Sequence, residues 1–159
     1  DAGFGVITGG GPGVMEAVNE GAKDGLSIGL GIELPFEASM NPYVNKGITC
    51  RYFFTRKVSL IKYSQGFIVF PGGLGTLDEL FEALTLNQLQ IEQKPVGLLN
   101  IQGFFDAILL QIDKMVEEGY IKSENKNLLL VDTTVEGLMQ QMNQYKAPQK
   151  GTVIQKIVR

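Results

Sequence analysis

A doubly wound α/β fold, with a parallel sheet covered by helices on both faces, is the class this sequence predicts. Strand-like runs alternate with helical ones along the chain, the order from which parallel sheets are built. The run 66–70, Gly-Phe-Ile-Val-Phe, is apolar throughout, as expected of a strand buried on both faces. Two glycine-rich turns, Gly9-Gly10-Gly11-Pro12-Gly13 and Pro71-Gly72-Gly73-Leu74-Gly75, each leave the carboxyl end of a predicted strand. Sheets of this kind bind ligands at that edge.

The elements follow in order. A strand is expected at 5–8, then a helix at 12–24 opened by Pro12, whose missing N–H costs nothing in a first helical turn. A strand at 27–32 leads into the loop 33–45, which carries Pro35, Asn41 and Pro42. A third strand spans 48–52, and a helix at 54–63 carries Arg56, Lys57 and Lys62. The strand 66–70 runs through the second glycine turn into a helix from 76 to about 91, opened by Thr76 with Asp78 and Glu79 close behind. A strand at 95–99 precedes a helix at 103–118 that presents Phe104, Ile108, Ile112 and Met115 at helical spacing. The last pair is a strand at 128–131 and a helix from about 133 to 145.

A single domain over 1–145 and a polar tail over 146–159 account for the chain, and the alternating run near 153–158 has no assigned place. The opening Asp1-Ala2-Gly3-Phe4 stands directly before an interior-type strand. An upstream strand and helix are therefore expected to be missing from this sequence.

Composition narrows the function. With 44% hydrophobic and 19% charged residues the chain reads as ordinary soluble globular protein. Its net charge of -3 supplies no electrostatic reason for nucleic acid or an anionic membrane as partner. No apolar run approaches the roughly 20 residues of a membrane span, and no signal peptide is evident. Cys50 is the single cysteine, so no internal disulfide can form and a reducing cytoplasm fits. Within Ile48-Thr49-Cys50-Arg51-Tyr52-Phe53 it reads as a buried strand residue. Histidine is absent, which removes histidine-assisted nucleophiles and imidazole-bound zinc. A proton acceptor near neutral pH is then a carboxylate, a lysine, a tyrosine or a water held by one of them.

The two turns carry the candidate chemistry. Glycines let backbone approach a ligand closely, and N–H groups at a helix start attract an anion such as phosphate. The first turn lacks the G-x-G-x-x-G spacing of a dinucleotide loop, since residue 14 is Val14, and no P-loop lysine follows either turn. Alone it reads equally as a tight connection or a phosphate seat. Glu16 in the following helix is ordinarily a dipole-favoured surface acid. The second turn is richer: Gly72, Gly73, Gly75 and Thr76 follow a buried strand, and Glu79 lies one helical turn beyond Thr76. Thr76 can cap the helix or bind the anion. Arg56 and Lys57 would open a helix where cations oppose the dipole, unless an anion or acid compensates. Both turns and the loop 33–45 are expected on one rim of the sheet.

At these residues the chain resembles a known family. Pro71-Gly72-Gly73-Leu74-Gly75-Thr76-Leu77-Asp78-Glu79 fits the signature P-G-G-x-G-T-x-x-E, and the run from Gly9 to Glu16 looks like the family's first turn, G-G-G-x-G-[IVL]-M. Arg56-Lys57 stands at the family spacing, 23 residues before Glu79, and the loop Glu33-Leu34-Pro35-Phe36-Glu37 with Asn41-Pro42-Tyr43-Val44 looks like the bacterial branch. Together they resemble the LOG ("lonely guy") family, often labelled possible lysine decarboxylase. The resemblance implies a Rossmann-like fold, a dimer or larger homo-oligomer, no cofactor, and a phosphoribohydrolase. Such an enzyme cleaves the N-glycosidic bond of a cytokinin riboside or adenosine 5′-monophosphate. It places the catalytic pair on Arg56 and Glu79. Substrate binding falls on Gly10, Gly11, Gly13, Glu16, Lys57, Gly72, Gly73, Gly75 and Thr76. Nothing identifies a lysine that would anchor pyridoxal phosphate, and no acidic cluster for a divalent ion is evident, so activity is expected to survive EDTA. The family's opening strand and glycine/serine loop have no counterpart before Asp1. A rival reading keeps the fold and the nucleotide seat without cleavage, as in molybdenum-cofactor carrier proteins.

Overall fold

In the computed structural model, residues 3–33 and 39–147 are described. The middle of the loop 33–45, the tail beyond 147 with its run 153–158, and the first two residues lie outside them. The chain divides into two compact units, Asp1–Ser64 and Gln65–Arg159.

The first unit is a parallel sheet of β1 (Val6–Thr8), β2 (Ser27–Ile32) and β3 (Lys46–Cys50), in the order β1-β2-β3. Helix α1 (Val14–Gly21) connects β1 to β2, and α2 (Phe53–Tyr63) follows β3. The central strand β2 buries Leu30 and Ile32, and Cys50 at the end of β3 is buried too, as its surroundings in the sequence suggest. The third strand begins two residues earlier than the pattern predicts. Lys46 and Gly47 carry no apolar signal, but they pair with Ile28 and Gly29, so pairing extends the strand where propensity does not. Glycines at 29, 31 and 47 leave a flat floor that Met40 covers: a Cβ at Gly47 would lie 2.7 Å from its Sδ. That contact seats the described part of the loop on the sheet.

The second unit repeats the plan. Strands β4 (Phe67–Val69), β5 (Val96–Leu99) and β6 (Leu129–Asp132) are parallel in the order β4-β5-β6. Helix α3 (Leu74–Gln88) joins β4 to β5, α4 (Asp106–Glu117) lies between β5 and β6, and α5 (Val135–Gln144) follows β6. Successive residues of a strand face opposite sides of the sheet, and β5 uses both. Val96 and Leu98 form a core with Leu80 and Ala83 of α3 and with Phe105. Gly97 between them faces α5, where an added Cβ would stand 2.9 Å from Leu138. Helices therefore cover both faces. Full burial of each such aliphatic side chain stabilises the fold by about 1.5–3 kcal/mol, and a side chain at 97 would push α5 off the sheet.

The starts of α4 and α5 differ from expectation for local reasons. Residues 101–105 do not join α4, because Gln102 and Gly103 have φ of 52° and 72°. Asn100 holds this bend: its Oδ1 accepts the Phe105 N–H at 2.8 Å and its Nδ2 donates to Asp106 Oδ1 at 2.8 Å. Helix α5 starts after Thr134, whose Oγ1 accepts the Gly137 N–H at 3.2 Å, a side-chain cap. The Asp132 carboxylate accepts the Thr134 N–H and hydroxyl, and these hydrogen bonds hold its pKa below the usual range. Among the described residues, no helix is long and apolar enough to cross a membrane.

Candidate functional site

The first glycine turn is shaped by its own unit. Gly13 caps α1 at φ 73° and ψ -127°, a conformation that strongly favours glycine. Pro12 therefore precedes the helix instead of opening it, which corrects the expected boundary. Gly10 also has positive φ, at 77°. Side chains grip the turn on both sides. Thr8 Oγ1 accepts the Gly10 N–H at 2.9 Å and donates to Asn19 Oδ1 at 2.7 Å. Asn41 Nδ2 donates to Gly10 O at 3.1 Å, Gly11 O at 3.0 Å and Asn19 Oδ1 at 3.0 Å. Asn19, fully buried, donates in turn to Ser27 Oγ at 2.8 Å. Sequence reasoning missed Thr8, Asn19 and Ser27 altogether. The available signal was an asparagine inside a short helix, where its propensity is poor.

Arg56 belongs to this turn. It is the fourth residue of α2, not its opening residue, because α2 begins at Phe53. Its Nε donates to Leu30 O at 2.7 Å, within the buried strand β2. The guanidinium lies 5.9 Å from the Phe53 ring centroid and packs against Gly9, where a Cβ would meet Nη2 and stand 2.9 Å from Met15 Sδ. Helix α2 has no acid in its first turn, so the carbonyl of Leu30 supplies part of the compensation that the cation requires. Lys57 is the next residue, half-buried. Glu16 sits in the first turn of α1, close enough to Tyr43 to help raise the phenol's pKa. The larger causes of that rise are a hydrogen bond to Glu20, the charge of Glu20, and burial.

The second turn is built differently. Helix α3 begins at Leu74 with Gly73 as its cap, and no side chain caps it. Thr76 is therefore its third residue, with its N–H bonded to Gly73 O at 3.1 Å, and the expected capping role does not occur. Its hydroxyl instead folds against Gly72, leaving no room there for a Cβ. Asp78 and Glu79 fall in the second turn, beyond the reach of the helix-end dipole, so the expected dipole contribution is lost. Glu79 is half-buried, three residues after Thr76 and on the same helix face. Gly73 and Gly75 are exposed, neither has positive φ, and a Cβ on either would meet no described atom within 4 Å. Within the described chain nothing demands glycine at these two positions. Yet a helical glycine such as Gly75 costs about 1 kcal/mol relative to alanine.

Comparison with known proteins identifies the family. The family model described as possible lysine decarboxylase matches residues 14–142. Cytokinin riboside 5′-monophosphate phosphoribohydrolase LOG2 of Arabidopsis thaliana is 34% identical over 96% of this chain and 73% of its own length. The probable cytokinin riboside 5′-monophosphate phosphoribohydrolase LOG6 of the same plant is 47% identical over 57% of this chain and 45% of its own length. Among solved structures, that of TM1055 superposes with a TM-score of 0.65 at 27% identity, covering 90% of this chain and 79% of that one. The molybdenum cofactor carrier protein of Chlamydomonas reinhardtii, 24% identical with a TM-score of 0.59 over 89% of this chain and 77% of that one, shares the fold. With the P-G-G-x-G-T-x-x-E turn at the start of α3 and a family model spanning most of the sequence, the chain belongs to the possible lysine decarboxylase family, that of the LOG proteins.

Proposed function

We propose that the protein is a phosphoribohydrolase that cleaves the N-glycosidic bond of a purine nucleoside 5′-monophosphate, a cytokinin riboside or adenosine monophosphate. The observation that carries this reading is Gly73 and Gly75: two exposed glycines at the start of α3 that no described part of the chain requires. Bare backbone N–H groups at a helix start are what a phosphate monoester takes. The names of the relatives supply the reaction class.

In this reading the 5′-phosphate sits on the backbone of Gly72, Gly73, Gly75 and Thr76. Gly10, Gly11, Gly13, Glu16 and Lys57 contribute further nucleotide contacts. Glu79 accepts hydrogen bonds from the ribose hydroxyls and takes a proton from the attacking water. As C1′–N9 breaks, its electron pair leaves with the purine, which takes up a proton from solvent to become the free base. The new C1′–O bond produces ribose 5-phosphate, and Glu79 returns the proton it took to solvent. The carboxylate also stabilises the positive charge that develops on the sugar. Arg56, already anchored through Nε, directs its guanidinium at the phosphate or the departing base. A homodimer or larger homo-oligomer and a cytoplasmic setting belong to the same reading. Tyr52, Phe53 and Phe54 support the first, since all three are exposed and the rings of Tyr52 and Phe54 stack at 5.5 Å.

Incubation with adenosine monophosphate followed by chromatography tests the function: free adenine and ribose 5-phosphate are expected. An unchanged nucleotide that merely protects the protein against unfolding would select the carrier reading instead. Glu79→Gln should lower kcat by about 10²–10⁴-fold, the range for a lost general base, with little change in nucleotide affinity. A fully active Glu79→Gln protein would remove the assignment of residue 79.

A further inference from the structure

We infer that Asn41 is a positioning residue: its side-chain amide sets the orientation of the first glycine turn for nucleotide binding. The inference rests on the reading above, in which Gly10, Gly11 and Gly13 contact the substrate.

Asn41 Oδ1 accepts the Tyr43 N–H at 3.2 Å, which fixes the amide so that Nδ2 faces the turn. That nitrogen meets three oxygens, Gly10 O, Gly11 O and Asn19 Oδ1, all within 3.1 Å. Two hydrogens shared among three acceptors make a branched bond, as occurs at crowded backbone corners. The Asn41 N–H adds a fourth contact, to Gly10 O at 2.8 Å. On the opposite side Thr8 Oγ1 accepts the Gly10 N–H.

The consequence follows from the geometry of a trans peptide, in which C=O and N–H point in opposite directions. With Gly10 O turned toward Asn41, the Gly11 N–H of the same peptide unit is turned away from it. Glycine backbone would otherwise rotate freely at this position. The amide therefore holds the turn with both carbonyls inward, so that a phosphate or sugar oxygen meets the Gly11 N–H and not carbonyl oxygens; the Gly10 N–H is held by Thr8, and Pro12 has none. Asn41 is largely buried, Asn19 wholly so, and neither needs to touch the nucleotide. Met40, packed over Gly10 with its Cγ 3.2 Å from the Cβ position there, backs the same corner.

The test compares Asn41→Ala with Thr8→Val, which removes the acceptor for Gly10 N–H at nearly constant volume. KM for adenosine monophosphate and kcat are measured along with Tm. Each variant should raise KM by about tenfold, the ratio that corresponds to one lost hydrogen bond of preorganisation, and leave kcat within about twofold. A fall in Tm with KM unchanged would overturn the inference while the proposed function stands. Failure of both variants to fold would overturn it as well, because the network would then hold the unit and not the turn. A wild-type protein that neither binds nor cleaves the nucleotide defeats the functional reading itself, and this inference with it.

Discussion

The two glycine turns occupy equivalent places, each at the carboxyl end of a strand and the start of a helix, yet their glycines answer to different demands. In the first, Gly9 makes room for Arg56 and Met15, while Gly10 and Gly13 adopt positive φ. Each is explained by the chain itself. In the second, only Gly72 has such a reason, in the Thr76 hydroxyl, and Gly73 and Gly75 have none among the described residues. A glycine required by the fold says little about a ligand, because substitution would be resisted whether or not anything binds. A glycine that costs stability and satisfies no contact points outside the chain. The second turn is thus the stronger indication of a phosphate seat.

Four substitutions or treatments sharpen or break that contrast. The largest effect is expected from Gly10→Ala, which forces a side chain into left-handed backbone and against Met40. The strain costs about 1–2 kcal/mol, or a fall in Tm of several degrees by scanning calorimetry. An unchanged Tm would show that the first turn is not the rigid one. Gly9→Ala comes next. The methyl displaces Arg56 from its place against the turn, so kcat for nucleotide cleavage should fall about tenfold or more, with a smaller change in Tm. Gly75→Ala should go the other way in stability, gaining about 0.5–1 kcal/mol from helix propensity, while KM rises because the added methyl stands where the phosphate approaches. A destabilised Gly75→Ala protein with normal KM would erase the distinction between the turns. The smallest effect is expected from EDTA. Among the described residues no group of three or more acids or cysteines is placed to hold a metal ion, and turnover should be unaltered by chelation. Loss of activity that magnesium restores would require a metal bound by other means.

The strand-and-helix order and the two turns were legible because each rests on short-range chemistry: apolar runs bounded by glycine, and acids or hydroxyls near a helix start. The element boundaries were less legible. Pro12 is a good first helical residue in general, but Gly13 one position later holds a conformation that no helix contains. Thr76 is a good cap in general, but α3 begins two residues earlier, at Leu74, and recruits a glycine instead. In both cases the error came from favouring a side-chain preference over the backbone path imposed by the preceding strand.

The role of Arg56 was half legible. The sequence identified a cation in an unfavourable place, but not that a strand carbonyl, Leu30 O, partly compensates it. The network of Thr8, Asn19, Ser27 and Asn41 was not legible at all. Its members are separated by up to 33 residues, the interval from Thr8 to Asn41, and neither the poor helix propensity of Asn19 nor the place of Asn41 in its loop tells which partners they meet.

By itself, then, the order of amino acids determined the class of fold, the identity of both turns and the absence of histidine chemistry, since these depend on composition and on neighbours a few positions apart. Only the tertiary structure decided which glycines the chain needs for its own sake, where Arg56 is anchored and which amide orients the first turn. Those are matters of contact between segments distant in sequence, where a difference of a few tenths of an ångström separates a hydrogen bond from a clash.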